Sequence, residues 1–337
     1  MKSRGRLHAA LPLLSVVSAT VLLSLLGWAF SLGGGGVGGG GVGAAAEASA
    51  ASLLGVVMPL SSIEARAGFA EDAIREAARV SGAVVVAYAS HLADGTAEDL
   101  SYVDALRARL EAGDDATARI IWVPVRWDVG ASSRFWVRYL RWAALPRLPD
   151  AVRAVLWLDG DEVVDAPRFR AWWAARGAAA VLGRGGAPLK LANFVYFREA
   201  RFQAVQLEDS AVICARAGLT VAQFFDNPDA EREMFAAGAR RLVPGLDGAP
   251  LVHHYSWVRS KPLMLQKVRA WTHNADAGRD WVAAVEAEFA HPFSGRDIVH
   301  GEAYVYRTLK EPTWIDTLRS KRSSEHASEH ALEGTLL

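Results

Sequence analysis

Between Leu53 and Leu158, short apolar runs alternate with stretches of helical periodicity, and few folds accept that order. LLGVVMPL (Leu53–Leu60), AVVVAYA (Ala83–Ala89), RIIWVPV (Arg119–Val125) and AVLWL (Ala154–Leu158) read as strands. They are continuous apolar runs, with no polar face. A strand apolar on both faces must be covered on both faces, which is the condition of a parallel sheet flanked by helices. The intervening segments supply the cover. Ile63–Val80 sets Phe69, Ile74 and Ala77 near one helical face, Leu100–Ala112 reads as helix, and Ser132–Leu145 is a helix rich in aromatic residues and Arg. The expected fold is α/β, a mostly parallel sheet flanked by helices. Ligands bind such sheets outside the carboxyl ends of the strands, so the residues after each run are where chemistry is expected.

Ahead of this body lies an uncharged run of 22 residues, Leu11 to Leu32, preceded by Lys2, Arg4 and Arg6 and followed by no charge until Glu47. About 20 apolar residues span a bilayer as a helix. Basic residues on the amino-terminal flank place that end in the cytosol. The expected plan is a cytosolic tail (1–10), a signal anchor (11–32), a Gly-rich stem (33–51), a catalytic domain (52–319) and a disordered, solvated tail (320–337). Nine of the eleven residues from 33 to 43 are Gly, a flexible spacer rather than a dinucleotide loop. The tail carries His326 and His330 at helical spacing, read as solvated rather than metal-binding.

The formal net charge is zero, with 37 basic and 37 acidic residues, but the first 46 residues hold three bases and no acid. The remainder is therefore slightly acidic, which argues against a nucleic-acid partner. A single cysteine, Cys214, excludes an intramolecular disulfide framework and a thiolate zinc cluster. G-x-x-x-x-G-K-[ST], H-E-x-x-H and G-x-S-x-G are all absent from the chain. P-loop hydrolysis, zincin proteolysis and the serine-hydrolase elbow are set aside accordingly.

The fourth strand ends in Leu158-Asp159-Gly160-Asp161-Glu162. Three carboxylates in four residues repel one another, and a hard divalent ion such as Mn²⁺ or Mg²⁺ would relieve that. On an extended segment Asp159 and Asp161 point the same way, and Gly160 leaves room for a ligand to approach. The other reading is a solvated turn leading to a helix that starts at Asp165-Ala166-Pro167. The position at the end of a fourth parallel strand favours the cation.

VLWLDGDEVV resembles the D-x-D segment of nucleotide-sugar glycosyltransferases of the GT-A fold, near the family 2 kind, over roughly residues 53–215. An anchor and stem are also the domain plan of many Golgi members. The resemblance implies a transferase acting in the lumen of the Golgi or another endomembrane compartment. Its substrates would be a nucleotide-sugar donor and a glycan or glycoprotein acceptor. Asp159 and Asp161 would hold a divalent ion on the donor diphosphate, with Glu162 supporting them. Pro59, Leu60 and Ser61, and more loosely Asp94, would meet the base and ribose.

Glu208-Asp209 resembles the acidic pair that supplies the general base in inverting members; Asp209 is the candidate and Glu208 the alternate. Acids at a helix start would explain the pair equally well. In Val252-His253-His254-Tyr255-Ser256-Trp257-Val258-Arg259-Ser260-Lys261, His254 or His253 resembles a carboxyl-terminal metal contact. Arg259 and Lys261 are candidates for the diphosphate. A packed His pair beside solvated cations is the competing reading. Asn193, Tyr196 and Arg198 are candidate sugar contacts on a strand expected over Leu189–Arg201, and His300 is a further candidate for the site. Two other functions use the same fold. A nucleotidyltransferase would need a Gly-rich basic loop that MPLSSIEARAG lacks. A non-catalytic carbohydrate-binding protein would not need Asp159, Asp161 and His254 to converge.

Overall fold

A computed structural model describes residues 50–112, 120–126, 133–225, 232, 235, 238–271 and 278–333. The expected anchor, and all of the stem but its last two residues, lie outside them. Among the described residues, no helix is long and apolar enough to cross a membrane.

The apolar runs form β1 (Leu54–Pro59), β2 (Ala83–Ala89), β3 (Ile120–Val125) and β4 (Ala154–Trp157), each parallel to its neighbour in the order β4-β1-β2-β3. Successive side chains divide between two cores, as a doubly covered sheet requires. Val56, Met58, Val84 and Val86 pack under α1 (Ser62–Ala67), α2 (Ala70–Val80) and α3 (Ser101–Glu111). Val57, Val85, Val155 and Trp157 face the opposite way, toward α4 (Ser133–Ala144). The single helix expected over Ile63–Val80 is two. Ser61 and Glu64 form a capping box, and Gly68, in the left-handed region at φ 84°, ends α1 after six residues.

After β4 the chain makes a short strand, β5 (Glu162–Val164), then α5 (Ala166–Trp172) and α6 (Ala178–Leu182). The strand expected over Leu189–Arg201 is also broken. β6 (Leu189–Leu191) joins the first sheet, while β7 (Asn193–Phe197) and β8 (Glu199–Ala204) form a hairpin in a second, turning at Arg198 with φ 59°. β9 (Val212–Ala215) inserts antiparallel between β4 and β6. Glu208 and Asp209 therefore precede a strand, and a helix start does not explain them. Beyond α7 (Val221–Phe225), β10 (Arg240–Val243) completes a seven-stranded sheet ordered β10-β6-β9-β4-β1-β2-β3.

The second sheet takes β11 (Val252–Trp257) and β12 (Tyr306–Thr308), in the order β12-β8-β7-β11-β5. Its own core, around Val195, Phe197, Trp257 and Tyr306, is covered by α8 (Lys261–Ala270) and α9 (Trp281–Phe289). β5 and β11 pair antiparallel with His254 opposite Glu162. This joint brings the carboxyl-terminal half against the acidic turn. Over residues 320–333 the expected disordered tail is helical: α10 (Trp314–Glu333) continues past Ser320, and ahead of it Arg319 donates to the buried Asp72 at 2.7 Å.

Candidate active site

A cavity of about 330 Å³ opens at the carboxyl ends of β1, β2 and β4, where the parallel sheet was expected to bind. Pro59, Leu60 and Ser61 line it from β1, and Asp159, Gly160 and Asp161 from the turn after β4. Gly160 is needed for a reason internal to the fold. A Cβ there would sit 2.9 Å from Leu60 Cδ1 and 3.2 Å from Glu64 Cβ, so the close approach comes from the chain itself.

The acidic turn is matched by cations from remote parts of the chain. Asp161 is buried, and its Oδ2 accepts from Arg259 Nη2 at 2.8 Å and Lys267 Nζ at 3.2 Å. Burial alone would raise its pKa, but Lys267, Arg259 and His254 outweigh that and hold the carboxyl well below the usual range. Asp159 accepts from Arg141 Nη2 at 2.5 Å and pairs with Arg232 Nη2 at 3.2 Å. Glu162, fully buried, pairs with Arg232, accepts from Ser210 and receives the backbone N–H of Asp159 at 2.8 Å. Mutual repulsion of these acids is thus relieved within the chain, and the inference from repulsion to a metal ion does not hold by itself.

A second acidic group meets the same cavity. His254 Nε2 lies 3.7 Å from Asp161 Oδ1, and its Nδ1 lies 3.1 Å from Glu208 Oε2. Glu208 Oε1 is in turn 3.1 Å from His300 Nε2. Burial would raise the Glu208 pKa, yet hydrogen bonds from His254 and His300 hold it well below the usual range. His254 is shifted the other way: burial opposes its charge, and Glu208, Glu162 and Asp161 together raise its pKa.

Several expected residues lie elsewhere. Asp209, the first candidate base, does not line the cavity; it is clamped by Arg241 at 2.7 and 2.9 Å and by Lys190 at 3.1 Å. Lys261 pairs with Glu286 on the surface, and the exposed Asp94 accepts from Thr96 N at 2.9 Å within its own turn. Neither reaches the cavity. Arg259 is near the site and not among the residues lining the cavity: it braces Asp161 and also donates to Ile63 O at 3.0 Å and Ser256 O at 2.9 Å. His253 is core. Its ring stacks on Trp314 at 3.8 Å and meets Tyr196 Oη at 2.7 Å, and burial pushes its pKa down to about 3. Tyr196 is buried in these packing contacts, Asn193 is buried with its amide on Ser210, and Arg198 is held by Glu288 at 3.0 Å.

Three cationic groups of the site, Arg141, Arg232 and Lys267, were not singled out from the sequence. For Lys267 a signal existed. It falls between Met264 and Val268 on the buried stripe of α8, where a lysine needs an anionic partner.

Among the described residues, no three His, Cys, Asp or Glu side chains converge as a metal cage. Asp161 and His254 nonetheless fit a divalent ion of the kind that takes its remaining ligands from phosphate and water. With Nδ1 donating to Glu208, Nε2 is the nitrogen left toward Asp161 Oδ1, and on giving up its proton it would offer its lone pair to an ion between them. Asp159 is turned to Arg141 and Arg232.

No protein-family model and no curated protein matches the chain. Among solved structures it is similar to glucosyl-3-phosphoglycerate synthase from Mycobacterium tuberculosis in complex with Mn²⁺, uridine diphosphate and glucosyl-3-phosphoglycerate. The identity is 16% over 82% of this chain and 93% of that one, with a TM-score of 0.35. It is also similar to S. aureus TarS, with 12% identity over 70% of this chain and 42% of that one and a TM-score of 0.31. A third likeness is to LgtC, at 10% identity over 61% and 89% and a TM-score of 0.31. Likenesses at these scores fix neither a family nor an activity.

Proposed function

We propose that the chain is a metal-dependent glycosyltransferase that moves a sugar from a nucleotide-sugar donor to a glycan or protein acceptor with inversion. One observation carries this reading: Asp161 and His254 face each other at 3.7 Å in a cavity at the parallel strand ends, with Glu208 beside them. Asp161 and His254 would hold Mn²⁺ or Mg²⁺, and Asp159 would complete the site once released by its arginines. When bound, the ion supplies charge neutralisation on the diphosphate of the departing nucleotide. Lys267 and Arg232, which line the cavity and pair with Asp161 and with Asp159 and Glu162, would add positive charge beside the same leaving group. Pro59, Leu60 and Ser61 offer the wall against which the nucleoside rests. Glu208 takes the proton of the acceptor hydroxyl as that oxygen bonds to the anomeric carbon and the bond from that carbon to the diphosphate oxygen breaks. One displacement inverts the centre.

The full chain, incubated with uridine-, guanosine-, cytidine- and thymidine-diphosphate sugars, is expected to release nucleoside diphosphate only with Mn²⁺ or Mg²⁺. Asp161→Asn is expected to lose this release. Undiminished release in EDTA overturns the reading. The amino-terminal anchor and a lumenal, Golgi placement belong to the same proposal; protection of the body from protease in sealed microsomes tests them.

Pairing of both Asp159 and Asp161 with the chain's own cations favours a second reading, a carbohydrate- or nucleotide-sugar-binding protein without turnover. Saturable donor binding with no product under any metal would select it.

A further inference from the structure

Resting on the metal-dependent reading above, we propose that His300 and Asp297 are positioning residues: they fix Glu208, and Glu208 fixes His254 with Nε2 turned to Asp161. An imidazole can present either nitrogen to a cation, and the partner of the other nitrogen decides which. Here that partner is Glu208 Oε2, 3.1 Å from His254 Nδ1. If Glu208 swung away, the proton could move to Nε2 and be donated to Asp161, leaving no lone pair on that side.

His300 holds Glu208 against swinging, its Nε2 3.1 Å from the other oxygen, and the Tyr304 hydroxyl adds a further hydrogen bond to the same carboxylate. His300 is itself fixed on two sides. Its ring stacks on Tyr304 with centroids 4.0 Å apart and planes 12° apart, and its Nδ1 lies 3.0 Å from Asp297 Oδ2. The Asp297 side chain is wholly buried. Its Oδ1 accepts from the backbone of Val299 and of His300, each at 2.6 Å, and its Oδ2 also accepts from Tyr306 Oη at 2.7 Å. Four donors on one buried carboxylate leave it a single orientation. The line Asp297–His300–Glu208–His254 is therefore hydrogen-bonded throughout and ends with His254 Nε2 3.7 Å from Asp161 Oδ1, at the acidic turn.

A purely structural dyad would only pin the loop before β12, and metal binding separates the two roles. Mn²⁺ alone is titrated into the full chain by calorimetry and by water-proton relaxation, and folding is checked by circular dichroism. Asp161→Asn is expected to lose binding. His300→Ala is expected to bind about 10–100-fold more weakly, the usual cost of removing an outer partner of a ligating histidine. His300→Gln, whose amide can still donate to Glu208, is expected to recover most of that loss. If His300→Ala does not fold, Asp297→Asn is the second variant, with weakened binding expected. Wild-type affinity in His300→Ala, or in Asp297→Asn where that variant stands in, overturns the proposal alone if Asp161→Asn has lost binding; so does a Gln variant no better than Ala. Absence of Mn²⁺ binding by the wild-type chain overturns the metal-dependent reading and this proposal together.

Discussion

Arg259 Nη2 lies 2.8 Å from Asp161 Oδ2, and both side chains are out of solvent. The arginine is spent on holding the acid. Lys267 shares that oxygen at 3.2 Å, while Oδ1 is left toward His254. One carboxylate thus has a structural oxygen and an oxygen that faces the cavity.

Arg259→Met would leave Asp161 with one buried cation and remove the donors to Ile63 O and Ser256 O. Breaking a buried ion pair from one side costs about 3–5 kcal/mol. Chemical denaturation should find a loss in that range, and a loss below about 1 kcal/mol would show the pair to be unimportant to the fold.

Glu208 and Asp209 should separate cleanly. Asp209→Asn weakens a clamp formed by Lys190 and Arg241 and is expected to lower stability by about 1–3 kcal/mol, as for other charge-assisted bonds. Glu208→Gln is expected to lower kcat by about 100-fold or more, the contribution of a general base. Equal kcat losses in the two variants, with equal stability, would count against this division.

The four parallel strands of the first sheet were readable because continuous apolar runs such as AVVVAYA admit few placements, and the strand ends then located the cavity. The second sheet was not. β5, β7 and β11 gain their places from pairings across long stretches of sequence, such as His254 with Glu162 and with Val195, that leave no local periodicity. The acidic turn was visible but its environment was not, since Arg141, Arg232 and the pair Arg259 and Lys267 come from three separated segments. The choice between adjacent residues also depended on strand orientation. His253 and His254 alternate across β11, so one packs on Trp314 and the other meets the cavity.

Glu98 lines the cavity near Ser62, whose backbone N–H it accepts, and burial pushes its pKa up to about 8. A carboxyl whose folded pKa exceeds its unfolded value binds its proton longer in the native state. Stability is therefore lost as pH rises from about 4.5 toward 8. Glu98→Gln, which cannot ionise, should raise the melting temperature relative to wild type at pH 8 and change it little at pH 4. A difference that does not grow with pH would refute the assignment.

His300 should give the complementary signature. Burial opposes its charge, but hydrogen bonds to Asp297 and Glu208 raise its pKa to about 9. A histidine whose folded pKa is raised contributes stability that is complete below the unfolded value, about 6.5, and is lost as pH climbs through 9. Asp297 is shifted below the usual range, mainly by His300 against its own burial, and Tyr304 and Tyr306 are raised above theirs, so none of the three titrates in that window. Denaturation of wild type and His300→Gln at intervals from pH 6 to pH 10 should show a wild-type advantage that is constant up to about pH 6.5 and shrinks steadily to beyond 9. Imidazole proton shifts in the wild-type chain should report a midpoint near the same value. An advantage unchanged at pH 10 would mean that the ring is held by packing against Tyr304, with its charge contributing nothing.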